Sequence, residues 1–137
     1  MKIMLDTNTC IAIIRRKPPR VLKRLNAYKV SDIGISWVTL AELEFGAAKS
    51  QRMEQNQAAL NDFVLPLEIA NFDAETARVY GRIRALLEKK GTPIGALDTM
   101  IGAHALALGV TLATHNSREF SRIKGLTIVD WLDGIGG

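Results

Sequence analysis

Ile3-Met4-Leu5-Asp6, set between Lys2 and Thr7 near the start of the chain, is the stretch that decides the fold. An apolar run closed by a carboxylate reads as a short buried strand with the acid at its carboxyl end. The pattern returns further along. Ile33-Gly34-Ile35-Ser36 is a second run, with Glu42 one short turn beyond it. Thr111-Leu112-Ala113-Thr114 is another, followed by Asn116. Leu67 to Ala70 and Leu126 to Val129 are further candidate strands, and Asp98 opens an alanine-rich helical stretch.

Helical segments fill the intervals. They are expected over about Asn8–Arg16, Pro19–Ala27, Thr39–Lys49, Arg52–Phe63, Asp73–Lys90 and Asp98–Leu108, with a last short helix capped by Ser117. Pro18-Pro19 stops the first helix and starts the second. Ala77, Tyr80, Ile83 and Leu87 mark an apolar stripe opposite Arg78, Arg82 and Lys89, and Lys89-Lys90-Gly91 is a helix-ending signal. Strands alternating with helices imply an α/β fold, with a mainly parallel sheet of about five strands flanked by helices. Residues 1–137 read as one domain without repeats or linkers, and Gly134-Ile135-Gly136-Gly137 as a frayed tail.

In such a sheet the carboxyl ends share one edge, where open α/β sheets bind ligands. Asp6, Glu42 and Asp98 gathered there repel one another. At ~4 Å and an effective dielectric near 20, each like-charge contact costs roughly 4 kcal/mol, so the cluster needs a cation or a raised pKa. Oxygen ligands without a supporting Cys/His set suit Mg2+ or Mn2+, which points to metal-assisted phosphodiester chemistry. Each residue also has a purely structural reading. Thr39-Leu40-Ala41-Glu42 fits a capping box, Asp6 and Asp98 suit helix N-termini, and Asn116 or Ser117 could cap the last helix. Asp98 resists that reading most, because its helix is otherwise small and apolar and a charge at its start needs a partner.

The chain has 137 residues, 47% of them hydrophobic and 23% charged, as in an ordinary globular domain. Its start is too short and too soon charged for a signal peptide. Met100 to Ala113, the longest nearly apolar stretch, is interrupted by His104 and Gly109 and cannot span a bilayer. Cys10 is the single cysteine, so no internal disulfide forms; this suits the cytoplasm, and Cys10 itself reads as a small buried apolar group. The net charge is +4, and setting aside Asp6, Glu42, Asp98 and Glu119 as site groups leaves ten acids against 18 bases. Arg15, Arg16, Lys17, Arg20, Lys23 and Arg24 fall in a run without an acid, either a phosphate-facing patch or a solvated helix face. His104 lies about 240° around the helix from Asp98 and reads as a core residue. His115 adjoins Asn116 and is a candidate for lining the cleft. Neither histidine has zinc-ligand spacing.

Met4-Leu5-Asp6-Thr7-Asn8 resembles the opening of PIN-domain ribonucleases. So do Glu42 within Thr39-Leu40-Ala41-Glu42-Leu43, Asp98, and Thr114-His115-Asn116-Ser117-Arg118-Glu119-Phe120. The resemblance covers nearly the whole chain and is nearest to VapC toxins of bacterial type II toxin–antitoxin pairs. Gly91-Thr92-Pro93-Ile94-Gly95 and Gly125-Leu126-Thr127-Ile128-Val129-Asp130-Trp131 are similar to the enteric branch of that group. It implies a PIN-like three-layer sandwich and an endoribonuclease using Mg2+ or Mn2+. It further implies a homodimer, a cognate antitoxin bound across the cleft, and a tRNA substrate such as the anticodon stem-loop of initiator tRNA. Metal ligation falls to Asp6 and Asp98, with Glu42 orienting water or binding a second ion. Asn116, often Asp in the family, lowers the site's charge and would position a water or a phosphate oxygen. Asn8, Thr114, His115 and Glu119 are supporting or substrate-touching candidates, and the basic run is expected on the RNA backbone.

Three other readings compete. A haloacid-dehalogenase-type phosphatase needs a second Asp two positions after the first, where this chain has Asn8. A non-catalytic RNA-binding or interaction domain leaves the acidic set unexplained. A metal-independent nuclease would use a His pair as acid and base.

Overall fold

The computed structural model describes residues 1–132. Among them are five strands: β1 (Ile3–Leu5), β2 (Ile33–Ser36), β3 (Glu68–Ala70), β4 (Thr111–Ala113) and β5 (Ile128–Val129). They form one sheet in the order β3-β2-β1-β4-β5, and every pairing is parallel. β1 is central, with Ile3 opposite both Ile33 and Thr111. Met4 and Leu5 are fully buried because helices cover both faces, which is why the first strand reads as unbroken apolar sequence.

On one face lie α1 (Thr7–Arg16), α2 (Pro19–Asn26), α3 (Trp37–Lys49) and α4 (Met53–Val64). Their core residues Cys10, Ile13, Val21, Leu43, Ala47 and Leu60 pack with Leu5 and Ile35. On the other face lie α5 (Ala74–Lys89), α6 (Ala96–Leu108) and α7 (Ser117–Phe120), where Leu87, Ile101, Ala105 and Phe120 pack with Met4 and Leu112. This is the expected three-layer α/β sandwich. Burial of each large aliphatic side chain contributes about 1.5–3 kcal/mol before chain entropy is subtracted. Among the described residues no helix is long and apolar enough to cross a membrane.

Several expectations are corrected. α3 begins at Trp37 rather than Thr39. Ser36, the last residue of β2, is its N-cap, and its Oγ accepts from the Val38 amide (3.1 Å). Thr39-x-x-Glu42 is therefore not a capping box, and the Thr39 hydroxyl is buried without a partner among the described residues. α6 begins at Ala96, so Asp98 lies in its first turn rather than opening it. On α5 the Asp73 carboxylate caps the Thr76 amide (2.9 Å), which turns Thr76 inward and leaves Ala77 exposed. Ser117 does not cap α7; Asn116 holds that place, without a side-chain bond. β5 is only two residues long. The tail, 134–137, lies outside the described residues.

Two glycines matter for the site. Gly109 ends α6 at φ 69°, a left-handed conformation that favours glycine and turns the chain into β4. Gly102 faces Ile123 and Phe120 so closely that a Cβ would collide with Ile123. Its bare backbone lets the segment of α7, which carries Glu119, sit down on α6, which carries Asp98.

Candidate active site

The carboxyl end of β1 is stitched to that of β4. The Asp6 amide donates to the Ala113 carbonyl (3.0 Å), and the Thr9 hydroxyl donates to the same oxygen (3.2 Å). Asp6 follows β1 directly and is the N-cap of α1, its Oδ1 accepting from the Thr9 amide (2.9 Å). It is only 3% exposed, so the structural reading of Asp6 as a helix cap is correct as far as it goes. Burial, and then the charge of Asp6, push the Cys10 thiol well above its ordinary pKa, which keeps it an apolar filler rather than a nucleophile.

Glu42 comes from α3. The Thr7 hydroxyl donates to its Oε1 (2.7 Å), fixing α3 against the start of α1. Thr7 was not singled out from the sequence. The signal was present, because a hydroxyl directly after Asp6 opens the helix that α3 crosses.

Asp98 comes from α6. That helix leads into β4 and so runs against the strands, which sets its first turn towards their carboxyl side. The Asp98 carboxyl is half-buried and pushed up to about 6, chiefly by burial and then by the charges of Asp6, Glu42 and Glu119. Four acids therefore share one field: the three expected to converge, Asp6, Glu42 and Asp98, and Glu119, which the sequence offered only as a supporting candidate. Among the described residues, no three His, Cys, Asp or Glu side chains close tightly enough to enclose a metal ion. The donor set nevertheless fits a hard divalent cation: it is all oxygen, it is mutually repelling, and the carboxyl at its centre is held in its protonatable range.

β4 ends in Thr114, which is buried, and its Oγ1 accepts from the Asn116 amide (2.9 Å). This turn carries His115 and Asn116 at the carboxyl end of β4. Both line a groove of about 420 Å3 with Asn8, Arg15 and Arg16 over Ile11, Ala12 and Leu132. The structure thus divides the basic run. Arg15 and Arg16 line this groove, whereas Lys17, Arg20, Lys23 and Arg24 are exposed elsewhere on α2 and the turn before it. His104 is fully buried, its Nδ1 2.8 Å from Ser36 Oγ and its ring edge-on to Phe72. Burial lowers its pKa. His115 is exposed. The two histidines occupy such different surroundings that they offer no acid–base pair.

An α/β sandwich with acids converging at the carboxyl edge of its central strand defines a class, and the sequence agrees: residues 3–126 match the PIN domain model. The chain belongs to the PIN-domain family. Its relatives include the tRNA(fMet)-specific endonuclease VapC of Salmonella typhimurium, 46% identical over 96% of this chain and 98% of that protein. Ribonuclease VapC2 of Rickettsia felis is 42% identical, again over 96% and 98%. The DNA-bound VapBC of Salmonella typhimurium superposes with a TM-score of 0.92 at 46% identity, covering 96% of this chain and 98% of that one.

Proposed function

We propose that this chain is a Mg2+- or Mn2+-dependent endoribonuclease toxin that cuts tRNA in the cytoplasm and is held inactive by a cognate antitoxin. The observation that carries the reading is the Asp98 carboxyl, raised by burial together with Asp6, Glu42 and Glu119. Such a cluster stores repulsion that a divalent cation relieves, and it is of no use to a domain that merely binds phosphate. The relatives supply the substrate class, being named ribonucleases and, in Salmonella typhimurium and Shigella flexneri, tRNA(fMet)-specific endonucleases.

Asp6, Asp98 and Glu42 would hold the cation. When bound, it would acidify water and neutralise charge on the scissile phosphate. Asp6 holds its carboxylate in place through the Thr9 amide. Glu42, steadied by Thr7, would orient the attacking water or bind a second ion. Asn116 offers a carboxamide to a phosphate oxygen without adding another negative charge. Glu119 adds to the field on Asp98, Asn8 reaches into the groove, and Thr114 holds the turn.

A second, narrower apolar groove supports the antitoxin reading. Ile11, Ile14, Leu43, Ala47 and Leu60 line it, and Arg15 and Glu42 lie at its rim. A partner seated there would reach the acids directly. Relatives of similar structure are VapBC complexes bound to DNA, from Salmonella typhimurium and Rickettsia felis. A second copy of the chain is a further expected partner. Expression of the chain alone should arrest growth, and sequencing of RNA ends after brief induction should show discrete tRNA cuts. Asp6→Asn should remove both effects. Normal growth with abundant folded wild-type protein would refute the toxin reading.

A further inference from the structure

Asp130 lies just after β5, apart from the carboxylates described above. Both of its oxygens are committed: Oδ1 accepts from the Leu132 amide (2.9 Å), and Oδ2 lies 3.0 Å from Nδ1 of His115. Its side chain is 20% exposed and that of His115 59%, so a fixed carboxylate holds an open ring. A carboxylate can only accept. Nδ1 of His115 must therefore carry the proton, and in the uncharged ring Nε2 is left as an acceptor.

The surroundings of the ring say what that acceptor meets. The groove contains two guanidinium groups, from Arg15 and Arg16, two carboxamides, from Asn8 and Asn116, and no acid among the described residues. Cations and amides suit phosphate oxygens, which only accept. A lone-pair nitrogen among them does not suit phosphate. It suits a hydroxyl donor on the same polymer, and the ribose 2′-hydroxyl is the donor that DNA lacks.

We propose that His115, with its tautomer set by Asp130, accepts a hydrogen bond from a ribose 2′-hydroxyl next to the scissile phosphate and so makes this site prefer RNA to DNA. The inference rests on the nuclease reading for its substrate. Asp130 is then a positioning residue that acts through His115.

The test uses a short single-stranded RNA and copies carrying one 2′-deoxy sugar at each position in turn. Binding is read by fluorescence anisotropy at pH 8, and cleavage by KM and kcat in Mg2+. Wild type should have one position where 2′-deoxy weakens binding about three- to tenfold, the worth of one neutral hydrogen bond. In His115→Ala the all-ribose RNA should bind weaker by the same factor, with no further loss at that position, and KM should rise more than kcat falls. Asp130→Asn keeps an oxygen for the Leu132 amide but donates to Nδ1. It thereby reverses the tautomer and should abolish the same 2′-hydroxyl effect while the ring remains. The double variant should be no worse than His115→Ala.

Undiminished 2′-deoxy discrimination in folded His115→Ala would overturn the inference, as would a melting-temperature change without any change in discrimination. If wild type binds with the expected His115-dependent discrimination yet never cleaves, the inference stands and the nuclease reading falls. If it cleaves with discrimination indifferent to His115, the reverse holds.

Discussion

Replacing Asp98 with Asn in metal-free protein should raise stability, and the size of the gain follows from the structure. The carboxyl is pushed from 3.8 to about 6 by burial, Asp6, Glu42 and Glu119, in that order. Above the folded-state value it is ionised in both folded and unfolded chains, and the whole penalty is present. Between about 6 and 3.8 the folded chain holds the proton more tightly, so falling pH relieves the penalty; below 3.8 it has gone. A shift of this size is worth about 3 kcal/mol at most. Discounted for a half-exposed group screened by water, about 1–2 kcal/mol remains. At this chain length that is a rise of about 3–8 °C in Tm. Asn keeps the shape and removes the charge. The assay is a set of melts of both proteins in EDTA from pH 7.5 to 4.5. His104 acts oppositely: its lowered folded pKa stabilises the protein at high pH, and that contribution fades as pH falls. The difference between the two Tm curves removes His104. It should be largest at pH 7.5 and shrink towards zero as pH drops through 6. A variant that melts lower than wild type at pH 7.5, or a difference that stays flat with pH, would refute the clustered-acid argument.

Four further outcomes are expected. Mg2+ should raise the Tm of wild type but not of Asp98→Asn, by an amount growing as RT ln(1 + [L]/Kd); equal shifts would show that the cation binds elsewhere. Asp6→Asn and Asp6→Ala should both lose cleavage. Only the alanine variant should also lose about 1 kcal/mol in chemical denaturation, because Asn still caps the Thr9 amide. Thr7→Val should cut kcat about tenfold with little change in Tm, since it frees Glu42 to swing; unchanged kcat would remove Thr7 from the site. Cleaved RNA should carry 5′-phosphate and 3′-hydroxyl ends, and cyclic-phosphate ends would point instead to attack by the 2′-hydroxyl.

The position of Asp6 was legible because it follows a strand whose burial on both faces leaves an uninterrupted apolar run, and that of Asn116 because the short buried pair Leu112-Ala113 precedes it. Asp98 was legible because a charge beside so many small apolar residues has no ordinary explanation. Register was harder to read. Ser36 ends β2 and caps α3 at once, so no loop residues mark the boundary, and Thr39 looked like the cap three residues late. The division of the basic run was hidden for a different reason. Arg15 and Arg16 differ from Lys23 and Arg24 only in where α1 and α2 carry them, which sequence spacing does not reveal. Asp130 was invisible as a site residue, since nothing nearby in sequence requires a carboxylate to meet a histidine fifteen positions earlier.

The acids of the cluster are not equivalent, and the difference suggests how the site divides its work. Asp6 has a backbone amide on one oxygen, and Glu42 has the Thr7 hydroxyl. Each thus has one oxygen fixed by a donor, so each can serve as an anchor of the geometry whether or not a cation is present. Every influence on Asp98 raises its pKa, and none relieves it. It is therefore the carboxylate whose energy would change most if a cation bound at the cluster, and the one through which that binding would couple most strongly to folding. A site built this way keeps its geometry through Asp6 and Glu42 and places its unrelieved charge on Asp98. Neutralising Asp98 should accordingly cost the most metal affinity while gaining the most metal-free stability, whereas neutralising Asp6 should cost affinity with little gain. That contrast between two acids of one cluster is what a purely structural role for either cannot produce.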